Sequence, residues 1–103
     1  MSLRLEISGG VARLLIDRAD KRNAFSLAMW EALPDLLAKA LANSDVRALE
    51  LTSADPDATF SAGADIGEML ANKDDPEWLA RKQSAINRAQ YELTRAPIPT
   101  LAF

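Results

Sequence analysis

The chain has 103 residues, of which 49% are hydrophobic, and its 12 basic and 15 acidic residues give a formal net charge of −3. This length predicts one globular domain, and the scattered charges exclude the basic stripe or tail that binds nucleic acid. The absence of Cys and His excludes disulfides, thiolate metal sites and Ser-His-Asp or Cys-His mechanisms, so any acid–base group in this chain must be a carboxylate, Lys or Tyr.

The first predicted elements are two strands. Residues 3–8 alternate between apolar and polar, and a second apolar segment at residues 11–16 follows Gly9 and Gly10. This pattern predicts a β-hairpin. Residues 17–23, DRADKRN, contain no large apolar residue, and we expect them to form an exposed loop.

A helix is predicted to begin after Ser26, whose hydroxyl can cap it. Its apolar face is formed by residues at helical spacing, namely Trp30, Leu33, Leu37 and Leu41, and the pattern breaks at residues 43–45. Pro34 removes one backbone hydrogen bond, so we expect a kink or a helix that restarts there. A strand over residues 46–52 follows, in which Glu50 is unexpected if both faces of the strand are buried.

The second half of the chain alternates loops with helices and ends in a strand. After a loop at residues 53–59 and a short helical turn through Met69 and Leu70, Asp74 and Glu77 resemble a capping box. They predict a helix that runs to about Arg95 and buries Trp78, Leu79, Ala85, Ile86, Ala89 and Leu93. An apolar strand begins at Thr100. The order hairpin, helix, strand, helix, strand predicts an α/β fold with crossover connections.

The segment most suggestive of chemistry is FSAGADIGEM at residues 60–69. Ala62, Gly63 and Ala64 have so little side-chain bulk that a ligand can approach the backbone closely. Asp65, with Ile66 after it, can open a short helix, where unpaired backbone N–H groups suit an oxygen that becomes negative during a reaction. The alternative, which this physics alone favours, is a loop whose small residues merely pack.

Three segments in order carry a resemblance to a known family. Residues 60–69 resemble the first oxyanion-hole signature of the crotonase superfamily, the enoyl-CoA hydratase/isomerase family. Residues 18–26, RADKRNAFS, are similar to the family's segment after its second strand, and residues 99–102 to the strand before its second signature. The resemblance covers nearly all of residues 1–103 and implies a crotonase-like α/β fold, a ββα superhelical spiral, of which this chain is the N-terminal part and begins with a β-hairpin.

The resemblance also implies a site for an acyl-CoA thioester, with coenzyme A as part of the substrate, no separate cofactor and no metal. The backbone N–H of Ala64 matches the family's donor to the thioester oxygen. The other substrate-binding positions that it implies are Lys21, Arg22, Ala24, Ala62, Gly63, Asp65 and Ile66. Lys21 and Arg22 are equally well explained as solvated charges on a surface loop. A helix cap is the stronger interpretation of Asp65.

The family's second oxyanion donor and its catalytic carboxylates would follow Phe103, so we expect the chain to be truncated before them and to be inactive by itself. The nearest carboxylates match no catalytic position of the family and are interpreted as surface or capping groups; they are Glu50, Glu68, Asp74 and Asp75. The parent enzyme would hydrate an enoyl-CoA or isomerise its double bond. The alternative is a non-catalytic fragment, truncated or self-associating.

Expected partners follow from the same reasoning. The resemblance implies an acyl-CoA ligand and a homo-oligomer, a trimer or hexamer, for the parent protein. Charge excludes a nucleic-acid partner. No apolar run approaches the roughly 20 residues of a membrane span and the N-terminus lacks a signal-peptide core, so we expect a cytoplasmic protein with no membrane partner.

Overall fold

The computed structural model describes residues 2–58, 60–61 and 63–102. Four strands and three helices follow the predicted order, with one 3-10 turn at Ala19–Lys21 after the second strand. In chain order the elements are β1 (Leu3–Ser8), β2 (Val11–Ile16), α1 (Leu27–Ala42), β3 (Ala48–Ser53), α2 (Ile66–Asn72), α3 (Pro76–Thr94) and β4 (Thr100–Ala102). The α/β class and the opening hairpin are therefore confirmed.

The strands form one sheet in the order β1-β2-β3-β4. β1 and β2 are antiparallel and joined at Gly9 and Gly10, which both adopt the positive φ that a tight turn needs. β3 is parallel to β2, and β4 is parallel to β3. Parallel neighbours require crossover connections, which α1 provides between β2 and β3, and α2 with α3 between β3 and β4.

Glu50, the unexpected charge in β3, has a partner on the neighbouring strand. It lies opposite Arg13 of β2 in the parallel register, and the Arg13 Nε lies 2.8 Å from a carboxylate oxygen of Glu50. Both side chains are partly exposed. This part of the sheet therefore presents one face to solvent, whereas Leu49, on the opposite face of the same strand, is fully buried.

The core lies between the sheet and α1. One buried cluster joins β1 and β2 to the start of α1 and to α3, through Leu3, Leu14, Ile16, Phe25, Met29, Leu33 and Ala89. A second cluster lies around the end of α1 and consists of Ala12, Leu37, Ala40, Val46 and Leu49. α3 packs on α1, so the sheet and the two helices form layers.

Helix α1 begins as predicted and continues through its proline. The Ser26 hydroxyl accepts a hydrogen bond from the Met29 N–H at 3.3 Å, which caps the first turn. Pro34 is buried inside one continuous 16-residue helix. The expected restart at Pro34 is therefore wrong, because the loss of a single backbone hydrogen bond is offset by the burial of the ring and its neighbours.

Other boundaries differ in detail. β3 begins at Ala48 rather than at residue 46. The cap of α3 is Asp75, whose carboxylate accepts from the Trp78 N–H at 3.1 Å, instead of Asp74. Leu79 is exposed in the first turn of α3, because burial depends on which element lies opposite and not on helical spacing alone. No helix in the described part of the chain is long and apolar enough to cross a bilayer.

We predict that the 103-residue chain self-associates through β4. Within the described residues β4 pairs with β3 on one side and with no strand on the other, and Leu101 is 51% exposed. Such an edge recruits another strand. Light scattering over a tenfold concentration range should give a mass above that of one 11.2 kDa protomer. Leu101→Lys should lower this mass.

Ala80→Lys, on the exposed face of α3, is the control and should leave the mass unchanged. A monomer at every concentration, with cooperative thermal unfolding, contradicts the prediction. Phe103, the other apolar residue of this end, lies outside the described residues.

Candidate functional site

Two hydrogen bonds fix the backbone of the small-residue loop. The Phe25 N–H donates to the Gly63 carbonyl at 2.7 Å, and the Asp65 N–H donates to the Phe25 carbonyl at 3.2 Å. They form a parallel bridge between Phe25 and Ala64. Because both bonds come from the residues flanking Ala64, the N–H and C=O of Ala64 itself point to the side away from Phe25.

The N–H of Ala64 is an available donor. Among residues 2–58, 60–61 and 63–102 it makes no hydrogen bond, and Ala64 is exposed. Gly63 beside it has a φ of 91°, and a Cβ built there would meet nothing within 4 Å. The backbone at these two residues therefore faces open space, and only glycine adopts the required φ without strain.

That space is an open cleft of about 490 Å³ between the loop, α1 and α3. Its walls are mostly apolar, and the rings of Phe25 and Trp30 lie against each other there with centroids 4.8 Å apart. The described lining residues are Phe25, Trp30, Leu33, Leu51, Phe60, Ser61, Gly63, Ala64, Lys82, Ile86, Gln90 and Leu93. A backbone donor in such surroundings stabilises negative charge more than one in water, because the local dielectric constant is lower.

Arg18 joins the two segments that meet at the bridge. Its guanidinium donates to the Ala24 carbonyl at 2.9 Å and lies 2.7 Å from the Asp65 carboxylate. The side chains of Arg18 and Asp65 are only 19% and 16% exposed. Arg18 thus holds the segment that carries Phe25 against the segment that carries Ala64.

Asp65 is occupied by protein contacts. Its carboxylate accepts from the Glu68 N–H at 3.0 Å and so caps α2. This hydrogen bond, then the Arg18 guanidinium, and also the nearby positive charge of Lys21, lower the pKa of the Asp65 carboxyl below its ordinary value. Asp65 is therefore a negatively charged cap and ion-pair partner at neutral pH.

Asn23 corrects the expectation that residues 17–23 form an exposed loop. It is fully buried, with a φ of 56°, and its amide accepts from the Arg18 N–H at 3.0 Å and donates to the Ser53 hydroxyl at 2.8 Å. The backbone carbonyl of Asn23 accepts from the Ser61 hydroxyl at 2.8 Å. The same hydroxyl accepts from the Gly63 N–H at 3.1 Å. A short amide that bonds to backbone and hydroxyls can stay buried in a polar segment.

The structure brings only part of the predicted site to the cleft. Gly63 and Ala64 line it. Ala24 is buried with its carbonyl bonded to Arg18. Ala62 lies outside the described residues.

The remaining predicted positions are not among the described lining residues of the cleft. Lys21 ends the 3-10 turn and Arg22 follows it, and both are exposed. Ile66, the first residue of α2, is 70% exposed. Sequence reasoning missed the roles of Arg18 and Asn23, because their partners Asp65, Ser53 and Ser61 lie in other segments of the chain.

The described residues contain no cluster of three or more His, Cys, Asp or Glu side chains able to hold a metal ion. No carboxylate lies among the described lining residues of the cleft either. The site as described therefore offers a backbone donor in an apolar cleft, and no acidic group in its wall.

Comparison with known proteins gives one consistent family. The family model described as Enoyl-CoA hydratase/isomerase matches residues 6–103. A protein of Hyphomonas neptunium, described as an enoyl-CoA hydratase/isomerase family member, is 31% identical over 99% of the chain with a TM-score of 0.90. AtuE of Pseudomonas aeruginosa is 35% identical over 99% of the chain with a TM-score of 0.85.

An enoyl-CoA hydratase from Shewanella pealeana is 31% identical over 99% of the chain with a TM-score of 0.85. The chain spans 38% of the Hyphomonas and Shewanella proteins and 39% of AtuE. It therefore matches well under half the length of these solved relatives, at the N-terminal part of their fold. None of the curated proteins matches the sequence significantly.

We predict that Asp65→Asn destabilises the protein at neutral pH and less so in acid. Asn keeps a capping oxygen but loses the ion pair with Arg18, so the free energy of unfolding should fall by about 1 kcal/mol at pH 7. Because the folded-state pKa of Asp65 is lowered, its stabilisation is fully present above the unfolded pKa of about 3.9. This contribution is lost as the pH falls through the folded-state pKa.

Denaturant unfolding of the wild type and of Asp65→Asn at about pH 7 and pH 3 measures this difference. Asp74→Asn, at an exposed acidic position, is the control and should change little at either pH. An Asp65→Asn effect of the same size at both pH values would mean that the ion pair is not the cause.

Proposed function

This chain belongs to the enoyl-CoA hydratase/isomerase family, and we propose that it binds the acyl-CoA thioester of an enzyme that hydrates an enoyl-CoA or isomerises its double bond. Members of the family bind acyl-CoA substrates. The observation that carries the proposal is the N–H of Ala64, which has no hydrogen bond among the described residues and lies at an apolar cleft.

The proposed chemistry is stabilisation of negative charge on the thioester oxygen. When a proton leaves the carbon beside the thioester, or water adds to the double bond, charge moves onto the carbonyl oxygen. A fixed N–H aimed at that oxygen lowers the energy of the enolate without reorganising at the moment of reaction. Ala64 supplies one such donor, and the bridge to Phe25 keeps it in place.

Proton transfer requires groups other than those described in the cleft. The described lining contains no carboxylate, and a general base must lie within hydrogen-bond reach of the proton that it removes. We therefore propose that the second donor and the acid–base carboxylates come from parts of the enzyme beyond this chain, which spans 38% of the relatives' length.

The nucleotide of coenzyme A is proposed to lie along the loop after β2. Lys21 and Arg22 are exposed cations there and could pair with its phosphates. Ile66 and Ala62 would contact the ligand next to Gly63. For Ala24 and Asp65 the contacts with Arg18 favour a supporting role, in which they fix the loop that touches the substrate.

A second candidate is a non-catalytic, self-associating role for the chain, favoured by the exposed Leu101 on the edge strand β4. The homo-oligomer of the parent enzyme, a trimer or hexamer, is proposed from the family resemblance. Binding experiments separate the two candidates, because only the first requires an acyl-CoA site around Gly63.

We predict that Gly63→Val, introduced into the parent enzyme, weakens acyl-CoA binding about tenfold or more and abolishes turnover. At a φ of 91° valine strains the loop, and its side chain enters the open cleft. Titration calorimetry with a short acyl-CoA measures the affinity.

Gly9→Val is the matched control. Gly9 also has positive φ and nothing within 4 Å of a built Cβ, but it lies in the β1–β2 turn. The Gly9→Val variant should be less stable than the wild type but should bind acyl-CoA with unchanged affinity. Unchanged affinity and normal turnover in Gly63→Val would remove this loop from the site.

We also predict that the 103-residue chain, assayed alone on short enoyl-CoA substrates, shows no turnover above background, because no carboxylate lines the described cleft. Glu68 is an alternative base in the same segment as Ala64, but its carboxylate accepts from the Leu27 N–H at 2.8 Å. Turnover that persists through purification and disappears in Glu68→Gln would identify Glu68 as the base and contradict the prediction.

A further inference from the structure

One cation lies in the wall of the otherwise uncharged cleft. Lys82 is only 9% exposed, and it is the single charged residue among the described lining residues. It belongs to the face of α3 that contributes one residue per turn to the cleft, together with Ile86, Gln90 and Leu93. No buried side-chain nitrogen or oxygen of the described residues lacks a hydrogen-bond partner, so the ammonium of Lys82 stays accessible to solvent while the aliphatic stem packs in the wall.

Within the described residues Lys82 has no anionic partner. Its ammonium lies 5.4 Å from the centroid of the Trp78 ring, a cation–π contact that offsets part of the loss of hydration. It forms no ion pair and no hydrogen bond with any described residue. The ammonium is therefore available to an anion that enters the cleft.

The other cations of α3 have carboxylate partners. Arg81 is bound by Glu31 through two hydrogen bonds of 2.8 and 2.7 Å, and Arg88 lies 3.9 Å from Asp35. The acidic residues of the α1 face that meets α3 are thus engaged by these two arginines. Lys82 is left as the cation whose counter-charge the described chain does not supply.

We propose that this counter-charge is a carboxylate on the acyl chain of the substrate. The inference rests on the proposed function, since it places the thioester oxygen at Ala64, in the wall of the same cleft. A cleft of about 490 Å³ has room for an acyl chain between the two. The substrate class is then an acyl-CoA whose acyl group ends in, or carries, a carboxylate.

The acyl carboxylate is favoured over a phosphate of coenzyme A. The lining around Lys82 is mostly apolar, which suits a carbon chain with one terminal charge and not a multiply charged phosphate. The exposed cations Lys21 and Arg22 lie on a different loop, outside the described lining, and are available to the phosphates.

The test compares two thioesters of equal carbon number, glutaryl-CoA and pentanoyl-CoA, with free coenzyme A as a third ligand, on the intact protein by titration calorimetry. Wild type should bind glutaryl-CoA more tightly than pentanoyl-CoA. Lys82→Met should weaken glutaryl-CoA binding about tenfold or more and leave pentanoyl-CoA within about twofold. Lys82→Arg, which keeps the charge, should retain most of the preference.

Lys39→Met, at an exposed position of α1, is the matched control and should change neither affinity. Pentanoyl-CoA binding by Lys82→Met shows that the variant is folded. If Lys82→Met binds neither thioester, Lys82→Arg is compared with the wild type instead. A preference for glutaryl-CoA over pentanoyl-CoA equal to that of the wild type supports the proposal, and loss of this preference overturns it.

Two results overturn the inference alone: a glutaryl-CoA to pentanoyl-CoA ratio that Lys82→Met does not change, or an equal loss of affinity for free coenzyme A, which would assign Lys82 to a phosphate. The proposed function fails separately if neither thioester binds to wild type, or if Gly63→Val binds both as wild type does.

Discussion

The hydrogen-bonded bridge between Phe25 and residues 63–65 is the constraint on which the site depends. Two backbone bonds, of 2.7 and 3.2 Å, engage the neighbours of Ala64 and leave the Ala64 N–H directed to the other side. A donor held in this way does not have to be reoriented when charge develops on a ligand. The Arg18 guanidinium strengthens the arrangement, since it contacts both the Ala24 carbonyl and the Asp65 carboxylate.

Sheet topology explains why these segments meet. β2 and β3 are parallel neighbours, so the loops that follow them leave the sheet at the same edge. The loop after β2 carries Arg18 and Asn23, and the loop after β3 carries Gly63 and Ala64. In α/β sheets the carboxyl ends of adjacent parallel strands are the usual place for a ligand, and here α3 closes the cleft from one side.

The charged side chains beside the loop and the one in the cleft differ in their partners. Next to the loop, Arg18 and Asp65 neutralise each other, and Asp65 also caps α2. Inside the cleft, Lys82 has only an aromatic ring beside it among the described residues. The first arrangement ties the loop to α2, and the second leaves the ammonium of Lys82 without a carboxylate partner among the described residues.

The sequence by itself determined the order of elements and most of their boundaries. The FSAGADIGEM run and two other segments carried the resemblance to the enoyl-CoA hydratase/isomerase family, which the family model confirms. Alternation predicted the hairpin, and Ser26 with the apolar spacing predicted α1. These features depend on neighbours within a few residues along the chain, where the periods of strands and helices and the capping rules apply.

The tertiary structure decided what faces the cleft. The burial of Asn23 depends on contacts with Ser53 and Ser61, which lie 30 and 38 residues away, and a polar run in the sequence contains no sign of them. The direction of the Ala64 N–H follows from a bridge to Phe25, and the burial of Lys82 from the way α3 packs on α1. Each is set by distant segments that meet only when the chain folds, because hydrogen bonding and burial depend on proximity in space and not along the sequence.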